Sequence, residues 1–399
     1  MRGVTFPDGL RPSPQPSPPG RGSVVEPRTT LRERWRAFRV ACVASPAFQR
    51  WAAGFPLTRR IATRNTRALF DLCAGFVYSQ VLFACVRLDL FPTLRAGPLS
   101  VETLAARLGL TPERATRLLK AAASLDLIAV LPDGHYALAD LGAALLGNPS
   151  VAAMIEHHAM LYADLADPVA LLQSESGPTR LSGYWPYAQA AEPDAADADA
   201  VAGYSGLMAA SQALIAEDVL DAYPLAGHAC LMDLGGGEGA FVTAAAHRHP
   251  QLGLMLFDLP AVAVRAETRL AADGLRPRVA CHGGSFFADA LPRGADIISL
   301  VRIVHDHDDA RVATLLRAAH AALPPGGTLL IAEPMAGTPG AEPIGDAYFG
   351  FYLLAMGSGR ARAPAELSAM LETAGFRGIR LVPTRRPLLT RLVVATKPA

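Results

Sequence analysis

Leu231-Met232-Asp233-Leu234-Gly235-Gly236-Gly237-Glu238-Gly239 is the stretch whose reading decides the fold. The apolar run from Ala229 to Leu234 reads as a strand entering a turn too crowded for side chains, and a helix over 240–249 follows. A second apolar run, Leu254-Met255-Leu256-Phe257, ends on Asp258. Glycines let a backbone approach a ligand at the carboxyl end of the first strand, and a carboxylate closing the next strand suits ribose hydroxyls. Further strands are predicted at 278–282, 297–301, 328–333, 379–382 and 390–396, with helical patterns between most of them. Such alternation implies a doubly wound, mostly parallel Rossmann-like sheet carrying a nucleoside cofactor.

Charge separates the possible nucleosides. A dinucleotide would set its pyrophosphate at the helix N-terminus after the turn. Here Asp233 and Glu238 flank or enter that turn, and carboxylates repel a diphosphate. The same carboxylates suit S-adenosylmethionine (SAM), which has no phosphate and carries a sulfonium and an ammonium. SAM is therefore the expected cofactor, with S-adenosylhomocysteine as its product.

At 399 residues the chain predicts more than one domain, and a net charge of +1 gives no global field drawing it to nucleic acid. Five scattered cysteines (Cys42, Cys73, Cys85, Cys230, Cys281) fit a reducing cytoplasm and predict neither a disulfide framework nor a metal site. No uninterrupted apolar run reaches the ~18 residues of a membrane span. The Pro/Ser-rich start, Arg11 to Gly20, lacks a signal-peptide core, and residues 1–30 read as a disordered tail. Between Arg28 and Arg67, ten arginines face one acid, Glu33, with Trp35, Phe38, Phe48, Trp51 and Phe55 interleaved. Two readings stand: a solvated basic helix face, or a segment resting on anionic headgroups of the inner membrane.

Residues 31–200 form the expected N-terminal domain, and 201–399 the SAM-binding catalytic domain. The apolar helix from Phe70 to Leu90 should be buried, in its own core or against a second subunit. Ser100 caps a helix over 101–108, Gly109 stops it, Thr111-Pro112-Glu113 opens the next, and 128–138 reads as a hairpin turning at Pro132-Asp133-Gly134. This winged helix is read as a dimerisation and substrate-covering element. A DNA-contacting role through Arg114, Arg117 and Lys120 is the alternative. Helical patterns also cover 151–172 and 204–222, separated by an Ala/Asp-rich stretch at 190–200.

Gly235-Gly236-Gly237-Glu238-Gly239, Phe257-Asp258-Leu259-Pro260, Gly283-Gly284-Ser285-Phe286-Phe287, Val304-His305-Asp306 and Ala332-Glu333-Pro334 occur in this order. From 70 to the C-terminus the chain thereby resembles the SAM-dependent O-methyltransferases, in the branch holding the plant caffeate and acetylserotonin enzymes. Phe76-Val77-Tyr78-Ser79-Gln80, Glu156-His157-His158, Tyr162-Ala163-Asp164-Leu165-Ala166-Asp167-Pro168 and Tyr184-Trp185-Pro186-Tyr187 are most similar to the family's bacterial carotenoid branch. That resemblance implies methylation of a tertiary hydroxyl on an acyclic hydroxycarotenoid of the demethylspheroidene or hydroxyneurosporene type. It also implies a homodimer that exchanges N-terminal helices. A methyltransferase for another hydrophobic acceptor (an aromatic polyketide or a bacteriochlorin) and a non-catalytic, SAM-sensing DNA-binding protein are the rival readings.

An aliphatic alcohol is too weak an acid to ionise near neutral pH, so its proton must pass to a positioned base as the new bond forms. His305, just past the fourth strand, is the candidate, with Glu333 and Asp306 as carboxylates to orient it; capping the helix that starts near Asp308 is its structural alternative. The resemblance likewise makes this the catalytic histidine and its orienting glutamate. The cofactor residues expected are Asp233, Gly235, Gly237, Glu238, Gly239, Asp258, Leu259, Ser285, Phe286 and Arg302, the last equally a surface ion-pair candidate. Relatives often carry aspartate where Ser285 stands and tryptophan where His307 stands. A second glutamate of the plant enzymes has Ala361 as its counterpart, in Gly359-Arg360-Ala361-Arg362, which suggests an apolar alcohol rather than a phenol as acceptor. His158, Tyr162, Trp185, Met208, Tyr352 and Met356 are expected to line the acceptor pocket. Adjacent helical residues diverge, so at most one of His157 and His158 should face it.

Overall fold

The computed structural model describes residues 30–173, 177–184, 212 and 214–399; the expectations placed on the N-terminal tail, the 190–200 stretch, Trp185 and Met208 lie outside them. Two compact units divide within a long helix, after Val77.

In the second unit, seven strands form one sheet: β3 (Cys230–Leu234), β4 (Gly253–Asp258), β5 (Val279–Gly283), β6 (Ile297–Val301), β7 (Thr328–Glu333), β8 (Arg377–Val382) and β9 (Arg391–Thr396). Each lies within two residues of its predicted place. Their order is β5-β4-β3-β6-β7-β9-β8, parallel through β7, with β8 and β9 closing one edge as an antiparallel pair. Strands β6 and β7 are buried at every position, as parallel strands covered on both faces must be. Alternation sends Leu231, Leu254 and Ile297 into one apolar layer with Phe241, and Met232, Leu234, Ile298 and Leu300 into the other with Leu315 and Leu316. The chain steps outward from β3 to β5, then returns to place β6 on the other side of β3. A crevice therefore opens beyond the carboxyl ends of β3 and β6, where ligands of such sheets bind.

The winged helix is present. Ser100 accepts from the Thr103 amide and Thr111 from the Arg114 amide, so the helices Val101–Leu108 and Pro112–Ser124 start where their caps predict. Strands β1 (Ile128–Val130) and β2 (Tyr136–Leu138) form the wing, and Leu99 adds a bridge to Tyr136. Leu104, Leu119, Leu90 and Phe91 close its core. The helical pattern over 151–172 resolves into two helices, Pro149–Asp164 and Pro168–Gln173, because Pro168 cannot continue the first.

The described part of the first unit holds α1 (Leu31–Ala44), α2 (Pro46–Gly54) and the opening of α3 (Pro56–Arg87). Helix α3 bears on two expectations. Its 32 residues contain an 18-residue stretch of mean hydropathy 1.8, long and apolar enough to cross a membrane by length and composition. The absence of a long uninterrupted apolar run had concealed this, because Asp71, Ser79 and Gln80 break the run without lowering its average much. Nor does the helix bury itself in its own core: 6% of that stretch is buried, and Leu72 and Phe76 are 81% and 72% exposed. Its lone fully buried residue, Cys85, belongs to the second unit. Single-chain hydropathy cannot tell a self-buried helix from one that meets something else.

Candidate functional site

The glycine turn leaves β3 with Gly235 at φ 74°, and a Cβ there would meet the Ile303 side chain at 2.6 Å, so glycine alone fits. Gly239 ends the turn, and the helix Ala240–Arg248 begins. Asp258 holds the turn down: its carboxylate accepts from the Gly237 amide and from the Leu259 amide, both at 2.7 Å. Asp233 is buried beneath, accepting from the Ser299 hydroxyl at 2.6 Å. Burial raises the pKa of Asp233 to about 7, with Asp258 pushing the same way. Burial likewise raises Asp258 to about 6 against the two amides that stabilise its charge. Asp233 is buried and Asp258 partly so, and Arg265 offsets the rise in Asp258 only in part; carboxylates so placed fit a positively charged ligand. Glu238 does not share this role. It turns to Arg265 and Arg269, at 3.4 and 3.6 Å, so two guanidiniums already answer its charge.

The second wall is the turn after β6. His305 lies in a 3-10 turn, Val304–Asp306, and is 5% exposed. It does not cap the following helix; Asp308 does, accepting from the Arg311 amide at 2.8 Å. Glu333, at the end of β7, accepts from the Ile303 amide at 2.9 Å, the Val304 amide at 2.7 Å and His305 Nδ1. A carboxylate only accepts, so Nδ1 carries the proton and Nε2 keeps its lone pair in the neutral ring. Asp306 sits against Nε2, at 3.2 Å, and not beside Glu333 on Nδ1. Burial would lower the His305 pKa, but Asp306 and Glu333 outweigh it and the net shift is upward. Burial raises Asp306, with Glu333 adding to it. Arg302, at φ 59° on the end of β6, opposes the rise in His305 and belongs to this side of the crevice, partly buried and acting also on Tyr348.

The carbonyls of the same turn are held by a segment that sequence reading passed over. Val304 O accepts from Arg362 Nη1 at 2.8 Å, His305 O from the Arg360 amide at 2.9 Å, Asp306 O from Ser358 Oγ at 2.8 Å, and His307 O from Arg362 Nη2 at 2.8 Å. Arg362 is 2% exposed and pairs with Asp309 at 2.7 Å. Gly359, at φ 83°, would place a Cβ 2.1 Å from His305 O, so the clasp closes only over glycine. Gly359-Arg360-Ala361-Arg362 is visible in the sequence as a motif, but nothing local in it tells that Arg362 is buried against the carbonyls of a distant turn.

Ser285 faces its own turn, its amide donating to Asp289 and its hydroxyl accepting from Phe287. Phe286 and Phe287 pack edge-on against His307, with centroids 5.8 and 5.0 Å away. Burial lowers the His307 pKa to about 4, with Arg311 assisting, so it serves as a neutral aromatic filler. On the acceptor side, rings follow one another from His305: Phe349 at 5.9 Å, then Tyr348 at 5.0 Å, His158 at 5.6 Å, Tyr162 at 6.2 Å and Phe83 at 6.0 Å. His157 and His158 both reach this wall, contrary to expectation. Nε2 of His157 shares a 2.7 Å hydrogen bond with Tyr352, and that of His158 one with Tyr348, also at 2.7 Å. Tyrosines one turn apart are long enough to span the divergence of the two imidazoles. Burial, then His158, lowers His157 to about 4. Met356 is fully buried in an apolar cluster with Leu161, Leu181 and Leu353 and serves as packing.

Residues 162–377 match the O-methyltransferase domain family, and residues 70–148 match the O-methyltransferase dimerisation domain family. The chain belongs to the O-methyltransferase family. Demethylspheroidene O-methyltransferase of Cereibacter sphaeroides is 45% identical over 96% of this chain and 98% of its own length. The protein of the same name from Rhodobacter capsulatus is 43% identical over 86% and 85%. Mouse acetylserotonin O-methyltransferase is 34% identical over 81% and 86%. Among solved structures, CalO1, a methyltransferase in calicheamicin biosynthesis in its SAH-bound form, superposes with a TM-score of 0.71 at 26% identity, covering 84% of this chain and 99% of that one. Human N-acetylserotonin methyltransferase in complex with SAM gives 0.70, at 24% identity over 84% and 98%, a likeness of fold.

Two outcomes follow for this enzyme. A cation seated against Asp233 and Asp258 favours their ionised forms, so cofactor binding should release protons and weaken as pH falls below about 7 and then 6. Calorimetry in buffers of different ionisation heat reads this; pH-independent affinity with no proton release contradicts it. Arg362→Met should cost roughly 2–4 kcal/mol of unfolding free energy, since charged hydrogen bonds to buried carbonyls are lost. It should also lower kcat more than it raises KM for the cofactor. Urea unfolding with steady-state kinetics checks both.

Proposed function

We propose that this O-methyltransferase transfers a methyl group from SAM to a tertiary hydroxyl of an acyclic hydroxycarotenoid of the demethylspheroidene or hydroxyneurosporene type. It would act as a cytoplasmic homodimer in peripheral contact with the inner membrane. Residues 31–200 would form the dimerisation and substrate-covering domain, and 201–399 the catalytic domain. The observation carrying the reaction is the pairing of His305 with Glu333 at the carboxyl edge of the sheet, across the crevice from Asp233 and Asp258. The acceptor assignment draws on the two bacterial relatives named for demethylspheroidene and on the file of rings from His305 to Phe83. A rigid polyene fits a wall of that kind.

When bound, SAM supplies an electrophilic methyl on a sulfonium. The residues that would hold it are Asp233, the 235–239 turn, Asp258, Leu259 and the 285–287 segment, with Arg302 nearby. Everything else falls to the chain. Nε2 of His305 takes the acceptor's hydroxyl proton as its oxygen gains the methyl, and Glu333 keeps the ring in the tautomer that leaves Nε2 free to accept. The same carboxylate stabilises the imidazolium that results. Asp306, beside Nε2, steadies that charge as well. Phe349 and Tyr348 keep water from the reacting oxygen, and alignment with desolvation lowers the barrier further. Two histidines held neutral by burial, His157 and His158, let the wall carry hydrogen-bonded tyrosines without a net charge.

Replacing His305 by Ala should lower kcat by about 10²–10⁴-fold, the usual contribution of general-base catalysis, with cofactor affinity retained. Because the pKa of His305 is raised, turnover should climb with pH until the ring is neutral and then level off. Glu333→Gln removes one cause of that rise, so the acidic limb should move to lower pH while the plateau falls. An unmoved limb would remove His305 from the role of base. Mass spectrometry of pigments from cells co-expressing a hydroxycarotenoid-producing pathway reads the acceptor, as a gain of one CH2 per modified hydroxyl. Efficient methylation of catechols with no change in carotenoids would displace the acceptor assignment.

A further inference from the structure

Helix α1 has no buried residue, and α2 has one, Ala52. A helix of 14 residues is marginal in water by itself, and this one has no apolar core to lean on. Its apolar side chains nevertheless form a stripe: Leu31, Trp35, Phe38 and Cys42 recur at i, i+4, i+7 and i+11, with Arg32, Arg34 and Arg39 flanking it. Trp35 and Phe38 are 66% and 59% exposed, and their rings lie 5.7 Å apart. Phe48, Trp51 and Phe55 continue the theme, each exposed, with Phe48 tilted against Trp51 at 5.5 Å and Trp51 stacked on Phe55 at 5.0 Å. Next comes a file of cations, as Arg59, Arg60, Thr63, Arg64 and Arg67 line a shallow groove on α3. Over residues 30–67 there are nine arginines, no lysine and a single acid, Glu33.

We propose that α1, α2 and the first three turns of α3 are a docking surface for an anionic phospholipid bilayer. Trp35, Phe38, Phe48, Trp51 and Phe55 enter the headgroup–acyl boundary, and the α3 arginines pair with lipid phosphates. Indole and phenyl rings on one side with guanidiniums beside them is the composition of an interfacial helix. Duplex nucleic acid would satisfy the arginines but leave the exposed rings in water. A second copy of this surface would set nine arginines against nine. Both family domains begin at or after residue 70, so these helices are an addition to them, and the near-full-length match to the Cereibacter sphaeroides relative takes most of them in. The surface sharpens the peripheral contact proposed above but does not depend on the identity of the acceptor.

The test is co-sedimentation of the full-length protein with vesicles of phosphatidylcholine, with and without phosphatidylglycerol. Binding is expected with the anionic vesicles, weakened by salt. Each arginine among Arg59→Gln, Arg60→Gln, Arg64→Gln and Arg67→Gln should lower partitioning about fivefold, from ~1 kcal/mol per basic residue near an anionic surface. Trp35→Ala with Trp51→Ala should reduce binding while preserving its salt dependence. Cofactor affinity, measured in parallel, should be unchanged in every variant, which establishes that the variants fold and separates this surface from the methyltransferase reading. Equal binding to neutral and anionic vesicles, no binding to either, or variants that bind as the wild type would overturn the proposal. So would retention through alkaline carbonate extraction, which would make α3 a span, or a dimer that dissociates in the variants, which would make the surface a subunit interface.

Discussion

Everything at the crevice depends on one buried carboxylate with three donors. Glu333 ends β7, is 2% exposed, and receives the amides of Ile303 and Val304 together with Nδ1 of His305. A carboxyl group buried in such a place is tolerable only when its oxygens are satisfied. The turn after β6 therefore has little choice of conformation. The parallel register that pairs Val301 with Ala332 brings the end of β7 level with the start of that turn. With the amides held by Glu333 and the carbonyls by Ser358, Arg360 and Arg362, the backbone from Ile303 to His307 is clamped from both sides.

Electrostatics on the facing wall runs the other way. Asp233 and Asp258 keep their protons more tightly than carboxylates in water because burial disfavours their charge, with Asp258 adding to the rise in Asp233 and Arg265 working against that in Asp258. Carboxylates of this kind suit a cation better than a diphosphate on physical grounds. Glu238 differs from them in having Arg265 and Arg269 beside its carboxylate, at 3.4 and 3.6 Å. What decides the local potential is which carboxylates have a guanidinium within ion-pair distance and which have only neutral donors.

The rings beyond Phe349 solve a different problem, that of burying polar side chains among aromatic ones. Buried histidine and tyrosine cost free energy if unpaired. His157 with Tyr352 and His158 with Tyr348 satisfy one another, and burial keeps both imidazoles in their uncharged form. The pairs tie the helix Pro149–Asp164 to the 348–352 segment, next to Phe349 and the ring of His305. Packing and polarity are thus settled by the same contacts.

Sequence alone determined the sheet, the glycine turn, the winged helix and the candidate base. Each rests on signals that are local in the chain: strand periodicity, caps such as Ser100 and Thr111, glycine where a side chain cannot fit, and histidine at a strand's carboxyl end. Tertiary structure decided what depends on residues far apart in the chain. It separated Asp233 from Glu238 by supplying Arg265 and Arg269, set Asp306 on the opposite ring nitrogen from Glu333, turned Ser285 into its own turn, and brought Arg362 under the turn that carries His305. It also showed that α3 is not covered by its own chain, which leaves a second subunit as the remaining way to bury it among the two expected. Hydrogen-bond partners and burial are properties of three-dimensional neighbours, and no spacing along one strand or helix encodes which distant side chain will arrive.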